Sequence, residues 1–330
     1  MNARRNFIRA LGTCGAAAFA PGCITRAWAQ RFPSRPVHVV TPFPPGSGPD
    51  AAVRVLGETL AIRWGQPVVV DNKPGGNGFI AISAFRQAAA DGHDLIQLDN
   101  THTTTHPHTF SKLPYDVERD FVPLAMMLRT SFFVVTGAGS PYKSLEDIVA
   151  AARARPGGVT YGSWFNGSPG HLGGLQLQAM KSLQMVHVPF RDFGQLYAAV
   201  ASQQVDWALG SIASAGALER GGKIRFVAFA APSRDPQYPK VPATAESPEL
   251  RGFEVSGWVG LFGPRGLASP LRGQIAGDIA AGLAAPETVE RYRVFGYEAP
   301  KLDPDQFAQL MRRETAAWGG IIRTANLRLD

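Results

Sequence analysis

The chain has 330 residues, with 33 basic and 26 acidic side chains and a formal net charge of +7. Four of the arginines lie in the first 29 residues, and without that segment the charge is +3 (33 minus 4 basic against 26 acidic residues). This small excess gives no reason to expect nucleic-acid binding. The two cysteines, Cys14 and Cys23, lie in the same segment, so the remainder has neither a disulfide nor thiol chemistry.

The first 29 residues have the pattern of a bacterial export signal. A basic start, "MNARRNFIR", precedes a short apolar stretch over residues 10–20 and "AWA" before Gln30. "RRNFIR" partly resembles a twin-arginine signal. We expect cleavage near Ala29 and a periplasmic mature chain of 301 residues (330 minus 29). An alternative is lipid attachment at Cys23, although the residues before "GC" fit such a signal poorly.

Strand and helix patterns alternate after the signal segment. The strands are "PVHVVTPF", "PVVVDN" and "DLIQLDN", and the helices between them are "PDAAVRVLGETLAIRWG" and "FIAISAFRQAAA". This βαβαβ order predicts a parallel sheet with helices on its faces.

The same alternation restarts near residue 131. Strand patterns are "FFVVTG", "GVTYGS", "MVHVPF", "VDWALGS" and "IRFVAFA", and helix patterns are "LEDIVAAARAR", "HLGGLQLQAMKS" and "GQLYAAVASQQ". A returning segment, "FEVSGWVGLFGP", precedes two amphipathic helices over 270–284 and 304–325. The prediction is an α/β chain of two hinge-linked lobes with a cleft between them, lobe 1 being 30–130 plus 255–330 and lobe 2 being 131–254.

The loop "TPFPPGSGPD" joins the first strand to the first helix and is the first candidate site. Ligands of open α/β sheets bind at the carboxyl ends of strands, where helix N-termini present free N–H groups. Gly46 and Gly48 allow close approach to the backbone, and Asp50 is a candidate helix cap. The loop lacks the Lys-Ser/Thr ending and the third glycine of nucleotide-binding loops. The alternative is an ordinary αβ connection.

A counterpart in the second half is "YGSWFNGSPGH". It also follows a strand and opens a helix, and it offers the polar side chains of Ser163, Asn166 and Ser168 and the backbone at Gly167 and Gly170. Two such loops suit a ligand with an anionic oxygen at one or both ends, whereas a capped loop without a ligand is the plainer interpretation.

Several of these motifs resemble the substrate-binding receptors of tripartite tricarboxylate transporters, the TctC or Bug family. They are "FPSRPVHVVTPFPPGSGPD", "GQPVVVDNKPGGNG", "LPYDVERDFVPLAMM", "YGSWFNGSPGHL", "VHVPFRD" and "GWVGLFGPRGLASP". The resemblance implies a type II periplasmic-binding-protein fold that closes on a small carboxylate and delivers it to a membrane permease. It implies a monomer with no cofactor, no metal and no enzymatic activity. A receptor that signals to a membrane sensor would need the same clamp and is the alternative.

Carried over by position, the resemblance places ligand contacts in four loops and one crossing strand. They are Phe43, Pro45, Gly46, Ser47, Gly48, Asp50, Thr101, His102, Thr103, Ser163, Trp164, Asn166, Gly167, Ser168, His171, Phe190, Arg191 and Trp258.

The chain departs from the family pattern within these loops. Pro49 stands where a threonine is usual, Asp192 replaces a glycine, and Trp164 and Phe165 replace small residues. These changes fall where the distal end of a ligand is expected, so the ligand of any one relative cannot be transferred. Arg191 either pairs with an acid or reaches a second carboxylate.

Three other functions suggested by the sequence are less well supported. "HTTTHPH" brings three histidines together, but the sequence shows neither a helix nor a well-placed carboxylate there for a zinc site. No G-x-S-x-G motif supports an esterase. An aromatic box for a ring-bearing acid could use Trp164 and Phe165, whereas Trp207, in an apolar strand, is expected to be core.

Overall fold

The computed structural model describes residues 32–329, and the predicted signal segment with Cys14 and Cys23 lies outside them. Ten strands are described: β1 Val37–Thr41, β2 Val68–Asn72, β3 Asp94–Asp99, β4 Phe121–Ser131, β5 Phe133–Gly137, β6 Thr160–Ser163, β7 Val186–Pro189, β8 Trp207–Gly210, β9 Ile224–Phe229 and β10 Ser256–Pro264. Eleven α-helices accompany them: α1 Gly48–Trp64, α2 Phe79–Phe85, α3 His106–Thr109, α4 Val117–Asp120, α5 Leu145–Ala154, α6 Pro169–Lys181, α7 Phe193–Ala201, α8 Ile212–Arg220, α9 Ser269–Leu283, α10 Pro286–Val294 and α11 Pro304–Thr324. Over residues 32–329 we find no helix whose length and apolarity would let it cross a membrane.

The strands form two five-stranded sheets of the same design. The first has the order β2-β1-β3-β10-β4 and the second the order β7-β6-β8-β5-β9. In each sheet three neighbouring strands are parallel, and the last two run antiparallel to their neighbours. The predicted two-lobe α/β fold is confirmed, with mixed sheets because the chain crosses between lobes in both directions. We call the first sheet with its helices the first lobe and the second sheet with its helices the second lobe.

The parallel strands determine where the candidate loops lie. In the first lobe β1, β2 and β3 end at one edge of the sheet, and α1 begins at that edge. In the second lobe β6 and β8 end at the corresponding edge, followed by α6 and α8. Each lobe has its own core, for example around Leu56 and Leu261 in the first and around Phe133 and Trp207 in the second.

Two neighbouring segments of the chain cross between the lobes. β4 continues almost directly into β5, and the segment before β10 returns beside it, with Phe132 N–H donating to Val255 O at 3.1 Å. Ala230 N–H in turn donates to Phe132 O at 2.9 Å. The two crossings are therefore hydrogen-bonded to each other and to the second lobe.

Several predicted elements need correction. The "HTTTHPH" segment is helical, with π-helical geometry over Thr101–Thr105 that continues into α3. Helices α8 and α10 were not predicted from the sequence, and β4 was recognised only as a family motif. The helix before residue 65 begins at Gly48, and its N-cap is Ser47 rather than Asp50.

Candidate functional site: two loops at the strand ends

Asp50 organises the first-lobe loop. It lies in the first turn of α1, is 2% exposed, and accepts a hydrogen bond from Gly46 N at 2.9 Å. Arg54 Nε lies 3.1 Å from both carboxylate oxygens, and Asn72 Nδ2 donates to Asp50 Oδ1 at 2.7 Å. Burial raises the pKa of Asp50, but these hydrogen bonds outweigh it and the pKa lies below its usual value. Asp50 is thus a charged brace for the loop, with its oxygens engaged by protein donors.

A second set of contacts fixes the loop from the neighbouring strands. Gln97, buried on β3, donates from Nε2 to Pro49 O at 2.9 Å and accepts from Thr41 Oγ1 at 2.7 Å. Asn72 Nδ2 also donates to Phe43 O at 2.9 Å. Gln97, Asn72 and Arg54 were not predicted as site residues, although polar residues inside and at the end of apolar strands were a usable signal.

The fixed loop leaves Gly46 exposed, although its N–H is already donated to Asp50. The Gly46 φ of +79° is left-handed, and a Cβ placed there would meet no atom within 4 Å. Pro45 is exposed, while Ser47 caps α1 by accepting from Asp50 N at 3.4 Å. The loop therefore presents a fixed, accessible backbone at a helix N-terminus, which is the geometry that binds anions in other proteins.

Threonine side chains hold the π-helical turn after β3. Thr103, Thr104 and Thr105 each donate a hydroxyl to the carbonyl four residues earlier, at 3.0, 2.7 and 2.9 Å. Thr101 differs: its hydroxyl is buried and has no protein partner among the described residues. An unpaired buried hydroxyl at the carboxyl end of a strand is a candidate donor for a ligand.

The three histidines of this segment contact protein groups. His102 Nδ1 lies 2.5 Å from Asp99 Oδ1, and its ring meets Phe43 edge-on at 6.1 Å, which joins the two predicted loops of the first lobe. His106 Nδ1 lies 3.0 Å from the hydroxyl of Tyr115, and burial, followed by the charge of His102, lowers the pKa of His106 to about 3. Among residues 32–329 no three His, Cys, Asp or Glu side chains could hold one metal ion.

Ser163 and His171, which are buried, and the half-buried His187 form a cluster in the second lobe. Ser163 Oγ donates to Phe165 O at 2.9 Å and lies 2.7 Å from His187 Nε2. The imidazoles of His171 and His187 stack at 3.7 Å and 4°. Burial lowers the pKa of His171 to about 4, and burial with the charge of His171 lowers the pKa of His187 to about 3, so both rings are neutral at pH 7. His187, on β7, was not predicted.

The cluster shapes the second-lobe loop. Gly167 N–H donates to His171 Nδ1 at 3.0 Å, and Ser168 caps α6 by accepting from His171 N at 3.4 Å. Ser163 is fully buried and its hydroxyl is committed to a backbone carbonyl, which favours a structural role over that of a nucleophile. Asn166 is exposed on the loop.

The aromatic residues of this loop differ in exposure. Trp164 is 9% exposed and packs on Phe132 and Phe193, with ring centroids at 5.5 and 5.0 Å. Phe165, in the loop before α6, and Phe193, at the start of α7, are 39% and 38% exposed. The surface available to an apolar ligand therefore belongs mainly to these two phenylalanines, and the expectation that Trp164 offers the ring surface is corrected.

The start of α7 contains the other second-lobe candidates. Phe190 N–H donates to Ser163 O at 2.8 Å, and Arg191 is exposed. Asp192, the departure from the family glycine, is the N-cap of α7 and accepts from Gln195 N at 2.8 Å. The first turns of α6 and α7 contain no acidic residue.

The lobes approach each other at α8. A Cβ on Gly48, at the start of α1, would lie 3.7 Å from Ala213 Cβ in α8 and would clash with the hydroxyl of Tyr297. The N-termini of α1 and α8 thus lie close together across the lobes. Ser211, the cap of α8, was missed as a candidate because its helix was missed.

Trp258 does not join the other candidates. It is 1% exposed, its ring packs on Phe307 at 5.0 Å, and its Nε1 donates to Glu314 at 2.6 Å. Its predicted place on the cleft wall is therefore corrected to the core between β10 and α11. Trp207 is 0% exposed, in agreement with the expected core position.

The comparisons with known proteins agree with this architecture. The chain is 31% identical to the "UPF0065 protein in tcbD-tcbE intergenic region" of Pseudomonas sp. (strain P51), over 88% of this chain and 86% of that protein. Among solved structures it is similar to Rpa4515 of R. palustris with adipate (TM-score 0.81, 26% identity, 90% and 99% of the two chains). It is also similar to MatC of Rhodopseudomonas palustris with bound malate (TM-score 0.77, 29% identity, 88% and 100% of the chains).

A family model covers most of the described chain. The model of the tripartite tricarboxylate transporter family receptor, TctC, matches residues 52–327, which include both sheets from β2 onward and the loops of the second lobe. The chain belongs to the tripartite tricarboxylate transporter family of receptors, a class of periplasmic solute-binding proteins.

Proposed function

We propose that the protein is a periplasmic receptor that captures a small carboxylate between its two lobes and delivers it to a tripartite tricarboxylate-type permease. The observation that carries the proposal is the Gly46 loop, whose open backbone is held at the N-terminus of α1 by the Asp50 network. Asp50 also lies in the first turn of α1, but Arg54 pairs with its carboxylate, so the partial positive charge of the helix terminus still favours a carboxylate over a neutral ligand.

The second lobe supplies matching features. The start of α6 has a serine cap and no acidic residue in its first turn, so its N–H groups add favourable potential for an anion, whereas the Asp192 carboxylate caps α7 and offsets its helix dipole. The first lobe adds the buried hydroxyl of Thr101, which has no hydrogen-bond partner within residues 32–329. Because the solved relatives contain adipate and malate, which are both dicarboxylates, a ligand gripped at both ends is compatible with this arrangement.

The distal end of the ligand is proposed to meet an apolar surface. Phe165 and Phe193 remain more than a third exposed beside Trp164, although aromatic side chains are costly to leave in water. An acid with an aromatic ring or an alkyl chain would cover them. Arg191 lies two residues before Phe193 and is available for a second carboxylate.

The test is calorimetric titration of refolded, ligand-stripped protein with malate, adipate, benzoate and phenylacetate. The control for each acid is the neutral alcohol in which hydroxymethyl groups replace its carboxylates. We expect saturable binding of at least one acid and none of its alcohol. Binding of an alcohol with equal affinity, or of no acid by a folded protein, would contradict the carboxylate site.

Delivery to a permease needs a separate experiment. The ligand-loaded protein should bind membranes that contain the permease subunits and release its ligand there. Binding instead to a membrane sensor, without uptake of the ligand, would favour the signalling alternative.

A further inference from the structure

A cavity lies beside the crossing strands, and none of the predicted ligand-contact residues lines it. Its volume is about 240 Å³. The first lobe contributes side chains from β4, β10 and α11, and the second contributes α6 and the chain after β9. A cavity of this size suits a compact molecule.

The wall contains several hydrogen-bond acceptors. Glu314 and Glu254 line the cavity together with Gln176, whose Oε1 is buried and has no partner among the described residues. Gln176 Oε1 is therefore an acceptor that a ligand with an N–H group would satisfy.

The charges of the wall decide what kind of ligand is favoured. Arg129 is the cation of the wall, and it already donates to Ser256 Oγ at 3.3 Å, whereas Glu314 and Glu254 are two acids. Glu314 accepts from Trp258 Nε1 at 2.6 Å through one oxygen, and burial raises the pKa of Glu314 more than this hydrogen bond and the charges of Arg129 and Arg313 lower it. An anion would face both carboxylates, whereas an ammonium group would give the buried carboxylate of Glu314 a hydrogen-bond donor in addition to Trp258.

Trp318 supplies an apolar, aromatic side to the same cavity. An indole face attracts cations as well as alkyl groups, and its attraction is greatest where water is excluded. The wall therefore combines acids, a free amide and an aromatic ring, which together resemble a site for an organic ammonium.

We propose that this cavity binds a small primary ammonium compound, with its N–H groups on Glu314 and Gln176 and its carbon chain on Trp318. The site is independent of the carboxylate site. A molecule bound there contacts both lobes.

The test uses the indole N–H signals of protein with ¹⁵N-labelled tryptophan. Propylammonium should shift the signals of Trp318 and Trp258 saturably, and propan-1-ol, its neutral counterpart, should not. The signal of Trp64, whose Nε1 is bonded to Asp278 on another part of the first lobe, is the internal reference and should stay in place.

Two variants test the assigned contacts. Glu314→Gln keeps an acceptor for Trp258 but removes the charge, and it should weaken propylammonium binding at least tenfold. Glu249→Gln, at an exposed acid of the second lobe, should leave binding unchanged. Should Glu314→Gln fail to fold, Gln176→Leu replaces it with the same expectation.

Three results would overturn the proposal: no shift at Trp318, an equal shift with propan-1-ol, or unchanged affinity in Glu314→Gln. Each of them leaves the carboxylate titration unaffected, so failure here is distinct from failure of the proposed function.

Discussion

At the scale of single residues, the candidate site depends on groups that support the backbone. Asp50, Asn72 and Gln97 hold the first-lobe loop through hydrogen bonds of 2.7–2.9 Å, and their polar atoms are engaged by other protein groups. Proline and glycine provide a loop with few side chains, and the buried polar groups around it fix its shape. Ligand affinity should therefore depend strongly on backbone access at Gly46.

Gly46→Ala tests this dependence. The methyl group would enter the open space beside the loop and the positive φ would cost about 1 kcal/mol, so we expect at least tenfold weaker carboxylate binding with a small loss of stability. Gly157→Ala is the matched control, because Gly157 also has a positive φ (+73°) and open surroundings. Gly157 lies before the start of β6, whereas the second-lobe candidate loop follows the end of that strand. Equal affinity losses in both variants would refute a ligand contact at Gly46.

The exposed phenylalanines give a second test at this scale. Phe165→Ala and Phe193→Ala remove apolar surface that a bound ring would cover, and each Å² left uncovered costs about 25 cal/mol, so a ring-bearing acid should lose more affinity than malate. Ile62→Ala, at an exposed apolar residue of α1, is the control. Competitive titration of phenylacetate and malate measures the ratio of their affinities, and an unchanged ratio would place the ligand elsewhere.

At the scale of elements, strands and amphipathic helices were predictable and polar or small-residue helices were not. The threonine-rich turn after β3 has poor helix propensity and is helical because its hydroxyls bond back to the chain. Helix α8, "IASAGALER", buries Ile212, Ala215 and Gly216, and because two of these residues are small the sequence shows only a weak apolar pattern. Ser211 caps the start of the helix. Strand β4 contains Pro123, and this proline is tolerated because β4 lies at the edge of its sheet.

The candidate site was predictable to the same extent. The strand ends and glycines of both loops were visible in the sequence, and they located Gly46, Ser163 and Ser168 in the places that the structure gives them. The partners that hold these loops, such as His187 and Gln97, come from neighbouring strands far away in sequence. Only the tertiary fold reveals them, and the same holds for the burial of Trp258.

His106, the first residue of α3, predicts a pH dependence of stability. His106 has a pKa of about 3 in the folded protein and about 6.5 when unfolded, so the unfolded state binds the extra proton first as the pH falls. The contribution of neutral His106 to the free energy of unfolding is complete above pH 6.5, and it decreases by up to about 1.4 kcal/mol per pH unit between pH 6.5 and pH 3.

His106→Gln should reduce this loss. Urea unfolding at pH 7 and pH 5 should give a difference in free energy that is smaller by up to about 2 kcal/mol in the variant than in the natural protein. His38→Gln, on β1, controls for the removal of a histidine in general. An equal pH dependence in His106→Gln and the natural protein would contradict the assignment.

At the scale of the whole molecule, the lobes are joined at several places besides the crossing strands. Gly48 of α1 meets Ala213 of α8, and Gly296 lies against Ile212. The chain after α11 adds a third contact, because Leu329 N–H donates to Thr109 O at 2.9 Å and its side chain lies against Gly167 in the second-lobe loop. The end of the first lobe therefore packs directly on a loop proposed to hold the ligand.

Leu329→Ser tests whether this contact supports the site. Leu329 Cδ1 lies so close to Gly167 that a Cβ on Gly167 would come within 2.9 Å of it. Loss of this apolar side chain should loosen the loop that Ser168 and His171 fix. We expect faster amide hydrogen exchange at Gly167 and Ser168 and several-fold weaker carboxylate binding, with little change in global stability, since Leu329 is not buried in the core. Leu329→Met, which keeps the apolar contact, should behave as the natural protein. Unchanged exchange at Gly167 in Leu329→Ser would mean that the second-lobe loop is held by its own histidine cluster alone, and the chain after α11 would then have no part in shaping the site.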